Sequence, residues 1–229
     1  MGGGCHTFMF LLKVRLGNIP MDKPKLLDMC CKAGGASEGY YSAGFRVIGV
    51  DIEPQPHYPF EFHQADALTY PLEGFDAYHA SPPCQDYTQA TLQWRKAGYL
   101  YPNLIEEFRH RLMATGKPFV IENVKGSPLI HPVLLTAAMF GIKIKRDRYF
   151  ECHGFDIPFT LSPTTPKAVK MGRAIKEGDI LQPVGHFSGV AYAQKEFGLP
   201  NRTQRELAEA LPKAYTEYIG KYLMEAVNA

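Results

Sequence analysis

Cys84 lies in HASPPCQDYT, residues 79–88, and its setting is that of a nucleophile. Pro82 and Pro83 fix φ and stiffen the turn, so the thiol is held in place. A cysteine is ordinarily a small buried hydrophobe. Pro–Pro–Cys–Gln in a polar loop is not a core pattern, and covalent catalysis accounts for it better. Further along, IENV ends an apolar run and delivers Glu122 and Asn123. A carboxyl whose pKa is raised by burial can act as an acid, whereas one at a solvent-facing strand end has no such role. In KIKRDRYF, residues 143–150, Arg146 and Arg148 alternate, so an extended strand would point both to one face. Paired guanidinium groups suit a phosphate or a base oxygen; a solvated basic strand is the plain alternative.

A second group of residues suits a nucleotide-like cofactor. The strand signal at residues 25–29 contains Asp28 and runs into a loop with Gly34 and Gly35, then a helix with Gly39. Such glycines let the backbone approach a ligand, and a helix N-terminus offers free N–H groups. They serve equally well as turn and packing glycines. Asp51 ends the second strand, RVIGVD, where doubly wound folds grip ribose hydroxyls with a carboxylate. Asp66 ends the extended stretch HQADAL, in reach of an adenine amino group. The dinucleotide glycine fingerprint is absent, which disfavours a nicotinamide cofactor.

These residues need a scaffold that brings strand ends to one edge. Strand signals at residues 25–29, 46–51, 75–80 and 119–122 alternate with helical spacing at 37–43 and 103–115. In the longer helix Leu104, Ile105, Phe108, Leu112 and Met113 form an apolar stripe and Asn103 is the expected cap. The alternation predicts an α/β fold, a doubly wound and mostly parallel sheet whose ligands bind at the carboxyl ends of the strands. Residues 153–200 carry several prolines and glycines with no long periodic run, and read as a small irregular annex. Helical spacing returns at residues 205–211 and 214–227, broken at Pro212.

Composition sets the outer limits. The 229 residues are 45% hydrophobic and 21% charged, which excludes wholesale disorder. A net charge of +2 excludes a general basic coat. Between Lys143 and Lys176, however, eight basic residues face three acidic ones, leaving −3 for the rest of the chain. A local phosphate-binding patch explains this segment better than a solvated loop. Five cysteines, two of them adjacent, argue against a disulfide scaffold and for a reducing compartment. No metal-type spacing occurs, so no metal is expected. No segment approaches the ~20 apolar residues of a membrane span. Residues 1–22 are expected to be a disordered N-terminal extension; the short apolar patch at 8–12 lacks the flanks of a signal peptide.

Taken in order, LLDMCCKAGGASEGYYSAGF, PPCQ, ENV and IKRDR resemble the cytosine-5 DNA methyltransferase family, in its short phage or bacterial form. LAEALPKAYTEYIG, residues 207–220, is similar to the C-terminal helices of such members. Four positions depart from the family's pattern: Cys30 replaces an aromatic, Lys32 replaces the first loop glycine, Ile144 replaces a glutamine, and Ile52 is the fourth. Ile52 stands where a large residue usually covers adenine.

The resemblance implies S-adenosylmethionine as cofactor, held by Asp28, Cys31, Ala33, Gly34, Gly35, Asp51, Ile52, Asp66, Ala67 and Pro83. It implies Cys84 as nucleophile and Glu122 as acid. Asn123 would fix the Cys84 loop, and Arg146 and Arg148 would contact the base and help ionise the thiol. Gln85, Lys167, Lys170 and Arg173 would touch nucleic acid, with double-stranded DNA as the expected partner of a monomer in a bacterial cytoplasm. The implied organisation is a catalytic domain at 23–152, a short target-recognition insert at 153–202, and helices at 203–229 that complete the catalytic domain. An insert this small suits a short or relaxed target, since specific DNA interfaces bury ~1,000–2,500 Å². The same chemistry on RNA or a free pyrimidine nucleotide is a rival, as is a degenerate module that binds without catalysis.

Overall fold

The computed structural model describes residues 23–88, 91–158, 163, 167–169 and 174–229. The expected extension at 1–22 lies outside the described residues. Seven strands form one sheet: β1 (Lys25–Met29), β2 (Arg46–Asp51), β3 (Glu61–Gln64), β4 (Ala77–Ala80), β5 (Phe119–Asn123), β6 (Val133–Leu135) and β7 (Arg148–His153). Their order is β3-β2-β1-β4-β5-β7-β6. Strands β1 to β5 pair in parallel, and β7 runs antiparallel to both its neighbours. The carboxyl ends of β1, β2, β4 and β5 therefore meet at one edge, and the amino end of β7 joins them there.

Period-two alternation divides the strand residues between two cores. Leu26, Val47 and Val120 face one side, with Tyr40, Tyr215, Ile219 and Leu223 from the helices. Leu27, Ile48 and Ile121 face the other, with Ile105, Phe108 and Leu112. The helices are α1 (Gly35–Ser42), α2 (Leu92–Lys96), α3 (Ile105–Met113), α4 (Val190–Phe197), α5 (Gln204–Glu209) and α6 (Lys213–Val227). Thus α1 and α6 cover one face and α3 the other, which is why β1, β2 and β5 carry apolar residues on both faces rather than alternating strictly with polar ones. Each fully buried Leu or Phe here contributes about 1.5–3 kcal/mol.

Several elements differ from the sequence expectation. Strand β7 starts at Arg148 instead of residue 143. Ile144 leaves the sheet to bridge Leu181, and the Lys145 N–H donates to the Leu181 carbonyl at 2.8 Å. Helix α3 is shorter than expected; Asn103 does not cap it but accepts from the Tyr87 hydroxyl. Met113 is 50% exposed, rotated off the apolar stripe at the frayed last turn. The short elements β6, α2 and α4 had no clear signal. Within 153–202 the described residues run mostly in loops around α4, and Ile157, Leu181, Phe187 and Phe197 pack into the α1–α6 core.

Helices α1 and α6 pack closely, with glycines at the contact. A Cβ on Gly39 would stand 2.1 Å from Thr216 Oγ1 and 2.4 Å from the Lys213 carbonyl. One on Gly220 would meet Ala43 Cβ at 2.6 Å. The gap closes on a hydrogen bond from Thr216 Oγ1 to the Ala36 carbonyl, 2.8 Å long. Gly35 is equally crowded, with Leu211 backbone atoms within 2.9 Å of the same construction. Gly39→Ala should cost about 3 kcal/mol or more, because backbone atoms must move to admit the methyl group. Denaturant unfolding checks this; a variant as stable as the parent would mean the helices are not in this contact.

Candidate active site at the carboxyl edge of the sheet

The strand ends wall a cavity of about 300 Å³. Its cofactor-type side is lined by Asp28, Cys31, Lys32, Ala33 and Gly35. Its other side is lined by Pro83, Cys84, Gln85, Glu122, Arg146 and Arg148. Three separate segments thus bring the expected nucleophile, acid and arginines to one space. β4 ends just before the Pro82–Pro83 turn, β5 ends with Glu122 and Asn123, and β7 begins with Arg148. The Asn123 side-chain amide donates to the Pro82 carbonyl at 3.0 Å, and its oxygen accepts from the Val124 N–H at 2.9 Å. The turn carrying Cys84 is thereby tied to the end of β5.

Glu122 is buried, and burial raises its carboxyl pKa against the opposing charges of Arg148 and Arg146. Arg148 Nε lies 2.9 Å from Glu122 Oε1. That contact is an ion pair rather than a directed hydrogen bond, and Oε1 has no hydrogen-bond partner. The arginines were expected to favour the Cys84 thiolate. Instead burial and the Glu122 charge push the thiol pKa up, outweighing Arg148 and Arg146. The resting thiol is therefore protonated. Arg146 and Arg148 do not share a strand face. Arg146 is buried ahead of β7, donating to the Ala208 carbonyl at 2.8 Å and the Pro183 carbonyl at 3.4 Å, while its own carbonyl accepts from Tyr215. Burial and the neighbouring Arg148 push Arg146 down to about 9. It joins the C-terminal helices to the site as well as lining it.

The loop after β1 turns through two non-glycine residues with positive φ, Cys30 at 58° and Lys32 at 45°. Such conformations cost about 1–3 kcal/mol and persist where surroundings enforce them. Here Asp51 does so: its Oδ2 accepts from the Lys32 N–H and its Oδ1 from the Glu53 N–H, both at 3.0 Å. Asp51 is buried and its carboxylate is already occupied. Besides Asp28, the carboxylate that faces the cavity on this side belongs to Glu53, which pairs with Lys32 at 3.0 Å. Asp28 accepts from Ser37 through Oδ2, while its buried Oδ1 has no partner.

The remaining expected residues scatter. Gly34 adopts φ 83° at the start of α1, packed against Tyr58 and Pro59. Ile52 is 68% exposed beyond β2. Asp66 is exposed and accepts from the Leu68 N–H at 2.9 Å, and Ala67 is buried with its carbonyl accepting from Arg111. Ile52, Asp66 and Ala67 lie outside the cavity wall. Lys167 is exposed; Lys170 and Arg173 lie outside the described residues. Glu53 and Arg205 line the cavity without a motif that announces them, and Ala208 to Leu211, from the stretch read only as C-terminal helix, line it too. Buried Arg202, outside the wall, also had no motif; it donates to the Ala33 carbonyl at 2.8 Å. Among the described residues no group of three or more His, Cys, Asp or Glu could hold a metal, and no helix is long and apolar enough to cross a membrane.

The sheet order, with an antiparallel β7 inserted between β5 and β6, matches solved methyltransferases. The chain has the S-adenosylmethionine-dependent methyltransferase fold. A protein assigned as a DNA modification methyltransferase, encoded within an E. coli prophage, matches with a TM-score of 0.64 at 16% identity, over 90% of this chain and all of that one. The Entamoeba histolytica methyltransferase EhMeth matches at 0.60 and 13% identity, over 90% of this chain and 99% of its own. The S. pombe Dnmt2 methyltransferase matches at 0.57 and 12%, over 90% of this chain and 100% of its own. No protein-family model and no curated protein matches the sequence. At these identities the likeness lies in the methyltransferase fold itself.

Asp28 ties stability to pH. Burial pushes it up to about 7 from 3.8, against the Ser37 hydrogen bond and with help from the charges of Asp51 and Glu122. Between those values the native state holds more protons than the unfolded chain, so this group makes stability fall as pH rises through that window. Asp28→Asn removes the titration and keeps an acceptor for Ser37. Denaturant unfolding at about pH 5 and about pH 8 should show the parent losing more stability than the variant, by a few kcal/mol at most. Equal losses would mean that Asp28 is ionised throughout.

Proposed function

We propose that the protein is an S-adenosylmethionine-dependent cytosine-5 methyltransferase acting on double-stranded DNA, with Cys84 as covalent nucleophile. The observation that carries this reading is the shared cavity of Cys84, Glu122 and Arg148, opening beside the loop that follows β1. The prophage protein of similar fold favours DNA among possible substrates. So do the exposed Lys143, Lys145, Lys167 and Lys176, available to phosphates. A stacked cytosine cannot enter such a cavity, so the base must be flipped out.

The residues at the cofactor side fit the group. Asp28 Oδ1 is a buried acceptor without a partner, and Glu53 adds a second carboxylate on the wall. The loop from Asp28 to Gly35 would hold S-adenosylmethionine. Asp51 would grip the ribose or support the loop that does, and Ile52, Asp66 and Ala67 would lie toward the adenine. When bound, the cofactor supplies an electrophilic methyl group to ring carbon 5.

Cytosine carbon 5 is a poor nucleophile, and this chain's residues would remedy that. Cys84 loses its proton and its sulfur bonds to carbon 6. Glu122 donates to ring N3, so the electron pair displaced from the 5,6 double bond makes an enamine. Arg148 holds the Glu122 carboxyl and faces the base oxygen. After methylation a base takes the carbon-5 proton, the 5,6 double bond re-forms, the carbon–sulfur bond breaks to release Cys84 as its thiolate, and ring N3 returns its proton to Glu122. The raised thiol pKa means that Cys84 must ionise within the loaded site, since the thiolate is the reactive form.

DNA carrying 5-fluorocytosine tests this, because fluorine cannot leave as a proton and elimination stalls. A covalent complex should form only with S-adenosylmethionine and vanish in Cys84→Ser, while Cys30→Ser, Cys31→Ser and Cys152→Ser should still be trapped. Glu122→Gln should slow methyl transfer ~10²–10⁴-fold, the scale of a lost general acid. Trapping that survives in Cys84→Ser would remove the assignment. Methyl transfer to tRNA or dCMP in place of duplex DNA would move the chemistry to another substrate. Asp51→Ala should weaken cofactor binding by roughly 1.5–3 kcal/mol by calorimetry, and unchanged affinity would release Asp51 from that role.

A further inference from the structure

Tyr58 stands in the loop between β2 and β3, and its ring lies across β2 at Gly49. A Cβ on Gly49 would be 2.3 Å from Tyr58 Cζ and 2.4 Å from its hydroxyl oxygen, so a side chain there would displace the tyrosine. Gly49 is in register with Asp28 on β1, which puts this notch beside that carboxyl. Phe60 and Phe62 hold the ring, with centroids 5.9 and 5.6 Å from its own. Across the notch the Tyr58 hydroxyl comes within 2.7 Å of Ser37 Oγ, and Ser37 Oγ donates to Asp28 Oδ2. Ser37 and Asp28 are fully buried.

The direction of this chain follows from the protons available. A serine hydroxyl has one proton, and an ionised carboxylate only accepts. The Ser37 proton goes to Asp28 Oδ2, so with Asp28 ionised the Tyr58 hydroxyl is the donor to Ser37. Tyr58 keeps that proton, because burial and then the charge of Asp28 push its phenol well above the usual range. Asp28 Oδ1 is left buried without a partner, and Asp28 lines the cavity on its cofactor side. Neither Ser37 nor Tyr58 lines the cavity.

We propose that Tyr58 is a positioning residue for the cofactor: by donating to Ser37 it commits the serine proton to Asp28 Oδ2 and leaves Oδ1 as the acceptor for the cofactor. This rests on the reading of the loop from Asp28 to Gly35 as the cofactor side. Hydrogen bonds in a chain polarise one another, so Ser37 without Tyr58 is a weaker donor. The buried carboxyl then loses support for its charged form and a restraint on its orientation. Tyr58 acts through Ser37 and Asp28 and need not touch the cofactor.

Two readouts separate the parts. Infrared titration of the Asp28 carboxyl, identified by its loss in Asp28→Asn, needs no cofactor. The other titratable groups around Asp28 are Asp51, Glu122, Cys30, Cys31, Tyr40 and His79, and Tyr58→Phe and Ser37→Ala leave all of them in place. Ser37→Ala should raise the midpoint by about 1–2 pH units, the scale of one hydrogen bond to a charged group. Tyr58→Phe keeps the ring in its notch and should raise the midpoint by less. Added to Ser37→Ala it should change nothing further, because Ser37 carries the effect. Calorimetry should show S-adenosylmethionine binding about three- to tenfold weaker in Tyr58→Phe, with no further loss where Ser37→Ala is already present. A midpoint unmoved by Tyr58→Phe, or moved as far without Ser37 as with it, overturns the proposal, as does cofactor affinity unchanged in Tyr58→Phe. Midpoints that move as stated in a protein that binds no S-adenosylmethionine sustain the hold of Tyr58 on Asp28 and overturn the cofactor reading.

Discussion

Three ionisable side chains, Asp28, His79 and Glu122, are buried in a sheet face that is otherwise apolar, and each needs a hydrogen-bond partner within reach. Leaving one without a partner would cost about 1–3 kcal/mol, and more for a charge. Helix α1 supplies two of the partners, Ser37 and Tyr40, one turn apart. For α1 to lie that close to the sheet, α6 must follow it, and Gly39 and Gly220 remove the side chains that would hold the two helices apart. The C-terminal helices are thus part of the support of the site, although they come last in the chain. Arg146 and Arg202 add further ties, donating to the Ala208 carbonyl of α5 and to the Ala33 carbonyl just ahead of α1.

The electrostatic state of the site follows from that burial. Removing Cys84 and Glu122 from water favours the neutral form of both, and Arg148 and Arg146 only partly offset it. A neutral carboxyl suits a proton donor, whereas a neutral thiol is a nucleophile at rest. Under the proposed function the cysteine would stay unreactive until a bound base and cofactor changed its surroundings. On the opposite side of the cavity Asp28 and the Lys32–Glu53 pair form a polar end of different character. One cavity thus offers two chemically distinct halves, as a two-substrate transfer requires.

The strands and the central motifs were legible in the sequence because their signals are local. Apolar runs such as FVIE and RVIGVD are strands buried on both faces, and Pro82–Pro83 and the helix spacing of α6 read directly as turn and amphipathic stripe. The failures were at places where distant residues decide. The run from Lys143 to Asp147 has a strand's pattern, yet Leu181 and Tyr215 draw it out of the sheet. Asn103 has the right chemistry for a cap and is claimed by Tyr87. Gly35 and Gly39, which fit a ligand-cradling loop, are required by the close passage of Leu211 and Thr216. Asp51 has the expected place at the end of β2, but its oxygens accept backbone N–H groups, one from Lys32 in the loop after β1 and one from Glu53 just beyond β2.

By itself the sequence determined the order of the main strands and helices, their apolar faces, and that Cys84 and Glu122 come at the carboxyl ends of two of those strands. Period and turn chemistry are properties of neighbours in the chain, so they survive without the fold. Only the tertiary structure decided that Arg146 turns inward while Arg148 meets Glu122, that Glu53 rather than Asp51 faces the cavity, and that His79 is buried against Tyr40 of α1. Those outcomes depend on which groups compete for the same buried hydrogen bonds, and that competition exists only once the sheet and the α1–α6 pair have closed around them.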